Sequence, residues 1–70
     1  VKMEALDDLK DELAIQLKKI SKDRDFVIGV LSFMETKENA QKMLDYLAAG
    51  TYESISDIIL ESVFIERGMD

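Results

Sequence analysis

The sequence predicts an all-α protein with a single domain over residues 1–70, a small compact bundle of three to four short helices. Two observations support this fold class and a third supports the single domain. Apolar residues recur at spacings of three and four along residues 3–20, as on one face of a helix. Residues 37–49 and 55–67 each follow a capping residue and end at a glycine. A chain of 70 residues without proline or cysteine suffices for one domain.

The clearest helix covers residues 3–20. Its apolar face consists of five residues at helical spacing, namely Leu6, Leu9, Leu13, Leu17 and Ile20. Acidic residues crowd the beginning of this helix and lysines its end. Each such charge complements the helix dipole and stabilises the helix by roughly a few tenths of a kcal/mol. The segment therefore combines a face that can be buried with charges that favour a helix.

Residues 26–34 are apolar almost throughout and follow a polar break in which Asp23 or Asp25 can cap the next element. Their Val, Ile and Phe side chains favour a strand. The segment does not alternate between apolar and polar residues, however, and a lone strand has nothing to pair with. We therefore predict a short core helix here and keep a strand at about residues 26–33 as the alternative.

The second half of the chain predicts two helices joined by a tight turn. Thr36 is a suitable N-cap for residues 37–49. The inward face of that helix is assigned to Ala40, Met43, Leu44 and Leu47. Gly50 ends it in the left-handed conformation, and Ser54 with Asp57 resembles a capping box that starts the last helix.

The chain is acidic, with a formal net charge of −6. From residue 26 onward there are three basic against eight acidic residues, whereas the first 25 residues carry six against seven. Acidic surface repels phosphate backbones and anionic lipids, so we expect neither a nucleic-acid nor a membrane partner. We find no leader-like segment and no apolar run near the ~18 residues that span a bilayer. These features favour a cytoplasmic location.

Few residues are suited to catalysis. The chain has no His and no Cys, which removes the commonest general base, the most reactive nucleophile and the two preferred zinc ligands. Ser54 and Ser56 lie close to Asp57 in sequence, but serines in such positions commonly form caps and turns. The three glycines are too far apart for a phosphate-binding loop. We therefore predict that the protein is not an enzyme and that it takes no cofactor.

The densest acidic group lies at the start of the first helix. Asp8 and Glu12, or Asp7 and Asp11, share a helical face at a spacing that can chelate a hard cation. A solvated helix N-terminus, where negative charge is favourable, accounts for the same residues, and no second set of ligands is visible. We therefore predict no metal site.

Residues 55–65 carry more apolar side chains than the ~100° stripe of a core-facing helix needs. The six assigned to an interaction surface are Ile55, Ile58, Ile59, Leu60, Val63 and Phe64. Two explanations stay open, a central helix of the bundle and an interface with a partner. A chain this short buries only about 60% of its unfolded surface, so assembly would add stability.

These features predict a non-enzymatic protein–protein interaction or regulatory module that forms a homodimer and can bind a protein partner. Replacing Ile59 by Asp should abolish folding or assembly, because an unpaired buried charge costs several kcal/mol. A helical immunity or inhibitor protein, which neutralises a basic enzyme through acidic surface, is an alternative function.

The spacing G-x-Y-x-S-x-S-[DE]-I-I-x-E resembles the turn and second helix of ParD-type ribbon-helix-helix antitoxins. Its residues are Gly50, Tyr52, Ser54, Ser56, Asp57, Ile58, Ile59 and Glu61. The resemblance, over about residues 43–66, implies an antitoxin or transcriptional regulator that forms an intertwined dimer. It also implies that residues 26–33 form the strand that enters the DNA major groove. That segment contains no Lys, Arg, Asn or Gln to contact bases.

Overall fold

The computed structural model describes residues 5–69, and within this range it contains four α-helices and no strand. They are α1 (Leu6–Ile20), α2 (Arg24–Phe33), α3 (Lys37–Ala49) and α4 (Ile55–Glu66). α1 packs against α2 and α3, and α4 packs against the same two helices. The predicted small all-α bundle is confirmed. Residues 3 and 4, at which we expected the first helix to begin, lie outside the described residues.

One apolar core lies between the four helices. Its buried members are Leu9, Leu13, Leu17, Phe26, Val27, Val30, Met34, Ala40, Met43, Leu47, Ile58 and Ile65. The apolar face predicted for α1 supplies three of them, while Leu6 and Ile20 pack at the edge. The inward face predicted for α3 is likewise buried, except that Leu44 is half-buried. The 3.6-residue period therefore identified the buried faces of both helices.

The segment whose structure the sequence left open is helical. Asp23 is the N-cap of α2, and its Oδ1 accepts a hydrogen bond from the amide of Asp25 at 2.9 Å. Phe26, Val27 and Val30 follow and are buried in the core. A strand at residues 26–33 would leave its backbone groups unpaired within this bundle. The strand alternative is therefore wrong for this structure, and the short core helix is confirmed.

Local hydrogen bonds set the ends of α3 and the start of α4. Thr36 Oγ1 accepts a hydrogen bond from the amide of Asn39 at 3.1 Å, and Gly50 ends α3 with φ at 66°. Both features were predicted. Ser54 is the N-cap of α4, but its side chain makes no capping hydrogen bond. Instead the Asp57 carboxylate accepts the amide of Glu53 at 2.8 Å, one residue before the cap.

The last turn of α4 closes with a Schellman motif. The amide of Gly68, whose φ is 74°, donates to the carbonyl of Ile65 at 3.1 Å. The amide of Met69 donates to the carbonyl of Phe64 at 2.8 Å. This pair of hydrogen bonds satisfies carbonyls that the helix leaves without partners. None of the helices within residues 5–69 is long and apolar enough to cross a lipid bilayer.

Candidate interaction surfaces

α4 turns one narrow face toward the core. Ile58, Ser62 and Ile65 are fully buried there, at the four- and three-residue spacings of a single helical face. The Ser62 hydroxyl donates to the carbonyl of Ile59 at 2.6 Å, so this buried polar group is satisfied inside its own helix. Successive residues in a helix are rotated by about 100°, so Leu60 lies nearly opposite Ile58. It therefore points away from the core.

The side of α4 that faces away from the core is also apolar. We call it the α4 outer face and define it by Ile55, Ile59, Leu60 and Phe64. These four side chains are between 39% and 53% exposed. In an ordinary surface helix the corresponding positions are polar. The excess of apolar residues in the sequence of α4 is thus a surface feature and not only a feature of the core.

The six residues predicted to form an interaction surface divide into three groups. Four of them make up the α4 outer face, and Val63 is half-buried beside it. Ile58 has no exposed area left for a partner, because it is fully buried in the core. The structure also changes the expectation for Ile59, which is 41% exposed. A charge at this position is therefore not expected to unfold the chain, and only the expectation that it prevents assembly is kept.

A polar flank bounds α4 on the side of α3. Lys42, Asp45 and Tyr46 of α3 line a shallow groove of about 360 Å³ with Glu61 of α4. Burial raises the pKa of the Tyr46 phenol, and the negative charges of Asp57 and Glu61 raise it further. The Tyr46 ring also lies beside the Tyr52 ring, with centroids 6.2 Å apart. The α4 outer face therefore ends where this flank begins.

A second surface lies between α1 and α2. It is a groove of about 520 Å³ lined by Ala14, Lys18, Lys22, Arg24, Val27, Ile28 and Leu31, and we call it the basic groove. Lys18 lies in the last turn of α1, Lys22 follows in the connection after that helix has ended at Ile20, and Arg24 is the first residue of α2. Among the described residues, these three cations have no ion pair or side-chain hydrogen bond. The groove therefore combines an apolar floor with unneutralised positive charge.

Sequence reasoning missed the basic groove. It assigned the lysines at the end of α1 to the helix dipole, which remains a valid local role. The available signal was the four-residue spacing of Lys18 and Lys22, followed two residues later by Arg24. Because α1 ends at Ile20, that spacing does not by itself place Lys22, and only the packing of α2 against α1 brings the cations beside apolar residues.

The opposite side of α1 is acidic. Asp8, Glu12 and Gln16 line a groove of about 610 Å³ with residues of α3, among them Asp45 and Gln41. The Gln41 side-chain amide donates to the Asp45 carboxylate at 3.1 Å. Within residues 5–69, no group of three or more carboxylates is arranged to hold a metal ion. α1 thus separates a basic groove from an acidic one.

No protein-family model, curated protein or solved structure matches the chain. The resemblance of residues 43–66 to ribbon-helix-helix antitoxins accordingly stays a prediction. The α4 outer face and the basic groove are the two surfaces whose chemistry bears on function.

Proposed function

We propose that the chain is a non-enzymatic protein–protein interaction module of the cytoplasm that forms a homodimer through the α4 outer face. The observation that carries this proposal is the apolar composition of that face, whose four large side chains remain partly exposed on a 12-residue helix. Contiguous apolar surface of this kind commonly marks an interaction site.

A second copy of the chain is the occupant that suits this face. In a two-fold dimer the same patch meets itself, so both halves must have compatible chemistry. Ile55, Ile59, Leu60 and Phe64 carry no charge, so these side chains can meet across the two-fold axis without burying a charge. Glu66, two turns after Ile59, is exposed at the end of α4 and has to stay at the rim of the interface. The acidic residues Asp57 and Glu61 lie on the flank toward α3, outside the apolar face.

The small number of side chains in the α4 outer face predicts a weak dimer. A typical stable interface buries about 800 Å² on each partner, roughly one sixth of the 4795 Å² of accessible surface. Covering the exposed half of four apolar side chains contributes roughly 1 kcal/mol for each. The cost of association, about 4–15 kcal/mol, offsets much of that gain. Four side chains on each of two partners gain about 8 kcal/mol, so at most about 4 kcal/mol remains, and the dimer is expected to form at close to millimolar concentration and to dissociate on dilution.

Light scattering over a range of protein concentrations tests the proposal. We expect a mass that rises from near 8.0 kDa toward twice that value. Leu60→Asp should hold the mass at one chain, because a charge at the centre of the interface would be buried without a partner. Ile15→Asp on α1 is the matched control, since Ile15 is 52% exposed and Leu60 is 53% exposed.

Two results would contradict a dimer formed through the α4 outer face. One is a wild-type mass of a single chain at the highest concentration reached. The other is an equal loss of assembly in the Ile15→Asp control, which would show that added negative charge alone prevents association. Circular dichroism of both variants should match the wild type, because each substituted side chain is about half exposed.

The antitoxin or regulator role implied by the sequence resemblance is a second candidate function. The turn between α3 and α4, in which Gly50 is left-handed, is compatible with this role. The strand that a ribbon-helix-helix protein needs at residues 26–33 is the helix α2 in this structure. Promoter DNA of the protein's own gene distinguishes the candidates. Retarded migration that weakens steeply with salt would support the regulator, whereas unchanged migration with a dimeric mass would favour the interaction module.

A further inference from the structure

We propose that the basic groove between α1 and α2 binds an amphipathic helix of a partner protein that carries acidic residues in its first turn. This surface is separate from the α4 outer face, so the proposal does not depend on the homodimer. It specifies the kind of protein that the chain would bind at this second surface.

The groove has a charged end and an apolar end. Lys18, Lys22 and Arg24 lie at the corner where α1 leads into α2. Leu31 lies seven residues beyond Arg24 along α2, which is two helical turns or about 10 Å. Ala14 lies one turn before Lys18 on α1, so the apolar lining extends away from the cations on both walls. A matching ligand has negative charge at one end and apolar groups along the next two or three turns.

The shape of the groove favours a helix over a small molecule. Pockets for small ligands commonly enclose 70–90% of the ligand surface. The basic groove is instead a trough between two helices, and Ile28 at its rim is 58% exposed. An amphipathic helix needs to bury only its apolar face in such a trough, while its remaining surface stays in solvent. Its side chains can then pack between the ridges of α1 and α2.

The cations select the charge of that helix. Because Lys18, Lys22 and Arg24 have no ionic partner among the described residues, carboxylates of an incoming helix can pair with them without displacing other groups. Acidic residues are also most favourable in the first turn of a helix, where the helix dipole is positive. Charge and dipole therefore place the N-terminal end of the docked helix at the corner between α1 and α2.

An anionic membrane fits the same cations less well. The exposed Asp23 and Asp25 alternate in sequence with Lys22 and Arg24. A flat anionic surface would meet these carboxylates together with the cations, and like charges repel. Neither aspartate lines the groove, so a single helix lying in the trough approaches the three cations more closely than the two carboxylates.

A labelled synthetic peptide tests the proposal. The probe is a helix of about 15 residues with glutamates in the first turn and leucines spaced three and four residues apart. Its binding to the full chain is measured by fluorescence anisotropy. A second peptide carries glutamine in place of each glutamate, and a third has the same composition with the leucines spread around the helix. We expect the first peptide to bind best and to lose affinity as salt is added.

Two triple variants locate the site. Replacement of Lys18, Lys22 and Arg24 by Gln should weaken binding about tenfold, since three partly exposed ion pairs are lost. The matched control replaces the exposed Lys19, Lys37 and Arg67 by Gln. Each triple variant removes two lysines and one arginine and changes the net charge from −6 to −9. The control should bind the peptide as the wild type does.

Four outcomes would overturn the proposal. They are the absence of saturable binding at millimolar protein, equal affinity for the scrambled peptide, equal losses in the two triple variants, and vesicles of anionic phosphatidylglycerol binding in preference to the peptide. Failure of the dimer is a separate result, because Leu60→Asp should leave peptide binding intact. Amide shift changes on peptide addition should accordingly fall in α1 and α2 and not in α4.

Discussion

Ile58 and Ile59 are neighbours in α4, yet Ile58 is fully buried whereas 41% of the Ile59 side chain is exposed. One residue rotates the helix by about 100°, which carries the second isoleucine out of the core and onto the α4 outer face. The two positions share their side-chain type and their helix. An aspartate in place of Ile58 therefore tests the fold, whereas an aspartate in place of Ile59 tests the surface.

Ile58→Asp should unfold the chain. An aspartate at this position is buried in the apolar core, with an expected loss of about 3 kcal/mol or more from the free energy of unfolding. Because small domains are only marginally stable, a loss of this size is enough to unfold the chain. Ile59→Asp should retain the wild-type helical signal in circular dichroism and lose only the dimeric mass. Loss of helicity in the Ile59 variant at low concentration would contradict its placement on the surface.

Gly50→Ala should lower stability and Gly29→Ala should raise it. Gly50 has φ at 66°, a conformation that costs an alanine about 1 kcal/mol. Gly29 lies inside α2, where alanine is favoured over glycine by about 0.5–1 kcal/mol. Apart from the chain neighbours and, at Gly29, the backbone of its own helix, a Cβ atom added at either glycine has no heavy atom within 4 Å. The difference between the two variants is thus one of backbone conformation.

Urea unfolding at a fixed protein concentration measures both glycine variants, because dimerisation would otherwise shift the midpoint. A stabilised Gly50→Ala variant would contradict the left-handed end of α3. A destabilised Gly29→Ala variant would show that α2 has no room at that position.

Thr36→Ala should destabilise the chain, whereas Ser54→Ala should have little effect. Both residues are N-caps, but only Thr36 accepts a hydrogen bond from a helix amide. Loss of such a cap costs about 1 kcal/mol. Ser54 has no capping bond to lose, so its replacement should change the free energy of unfolding by less than about 0.5 kcal/mol. If thermal or urea unfolding showed equal losses of stability in the two variants, the capping bond that the sequence predicts for Ser54 would be supported after all.

The phenol of Tyr46 should ionise at higher pH in the folded chain than in the unfolded chain. Its pKa is raised by burial and then by the charges of Asp57 and Glu61. A Tyr52→Phe variant leaves Tyr46 as the single tyrosine, since the chain has two. Its tyrosinate absorbance can then be titrated in native buffer and in urea. Coincident titration curves would contradict the raised pKa.

The same pKa change has a consequence for stability. Below the ordinary tyrosine pKa of 10.0 the phenol is protonated in both states, and its contribution to stability is fully present. As the pH rises from there through the folded-state pKa, the unfolded chain loses its proton first, so the free energy of unfolding falls. The wild type should therefore lose more stability than Tyr46→Phe between neutral pH and pH values above 10.0.

The positions of the helices follow from local signals in the sequence. Three- and four-residue spacings mark the buried faces of α1 and α3, because every residue of a helix is rotated by the same angle. Thr36 and Gly50 mark the limits of α3, because a cap or a left-handed residue acts within a few residues of itself. These interactions stay inside one segment and can be recognised without knowing its neighbours.

The structure of residues 26–33 depended more on context. Their composition suits a strand, but a strand is stable only when a neighbour completes its hydrogen bonds. α2 forms instead because Asp23 caps it and the core accepts Phe26, Val27 and Val30. The Ser54 and Asp57 pair shows the same limit on a smaller scale. The acidic residue bonds the amide of Glu53, and the serine contributes no side-chain bond.

By itself the sequence determined the helical class, the approximate limits of the helices, the acidic charge and the apolar excess of α4. Only the tertiary structure decided that Ile58 lies in the core and Ile59 on the surface, and that Lys18, Lys22 and Arg24 border an apolar groove. The physical reason is that a helix with nearly all-round apolar character has no preferred inward face of its own. Its orientation is set by the neighbours against which it packs, and a groove exists only where two helices meet.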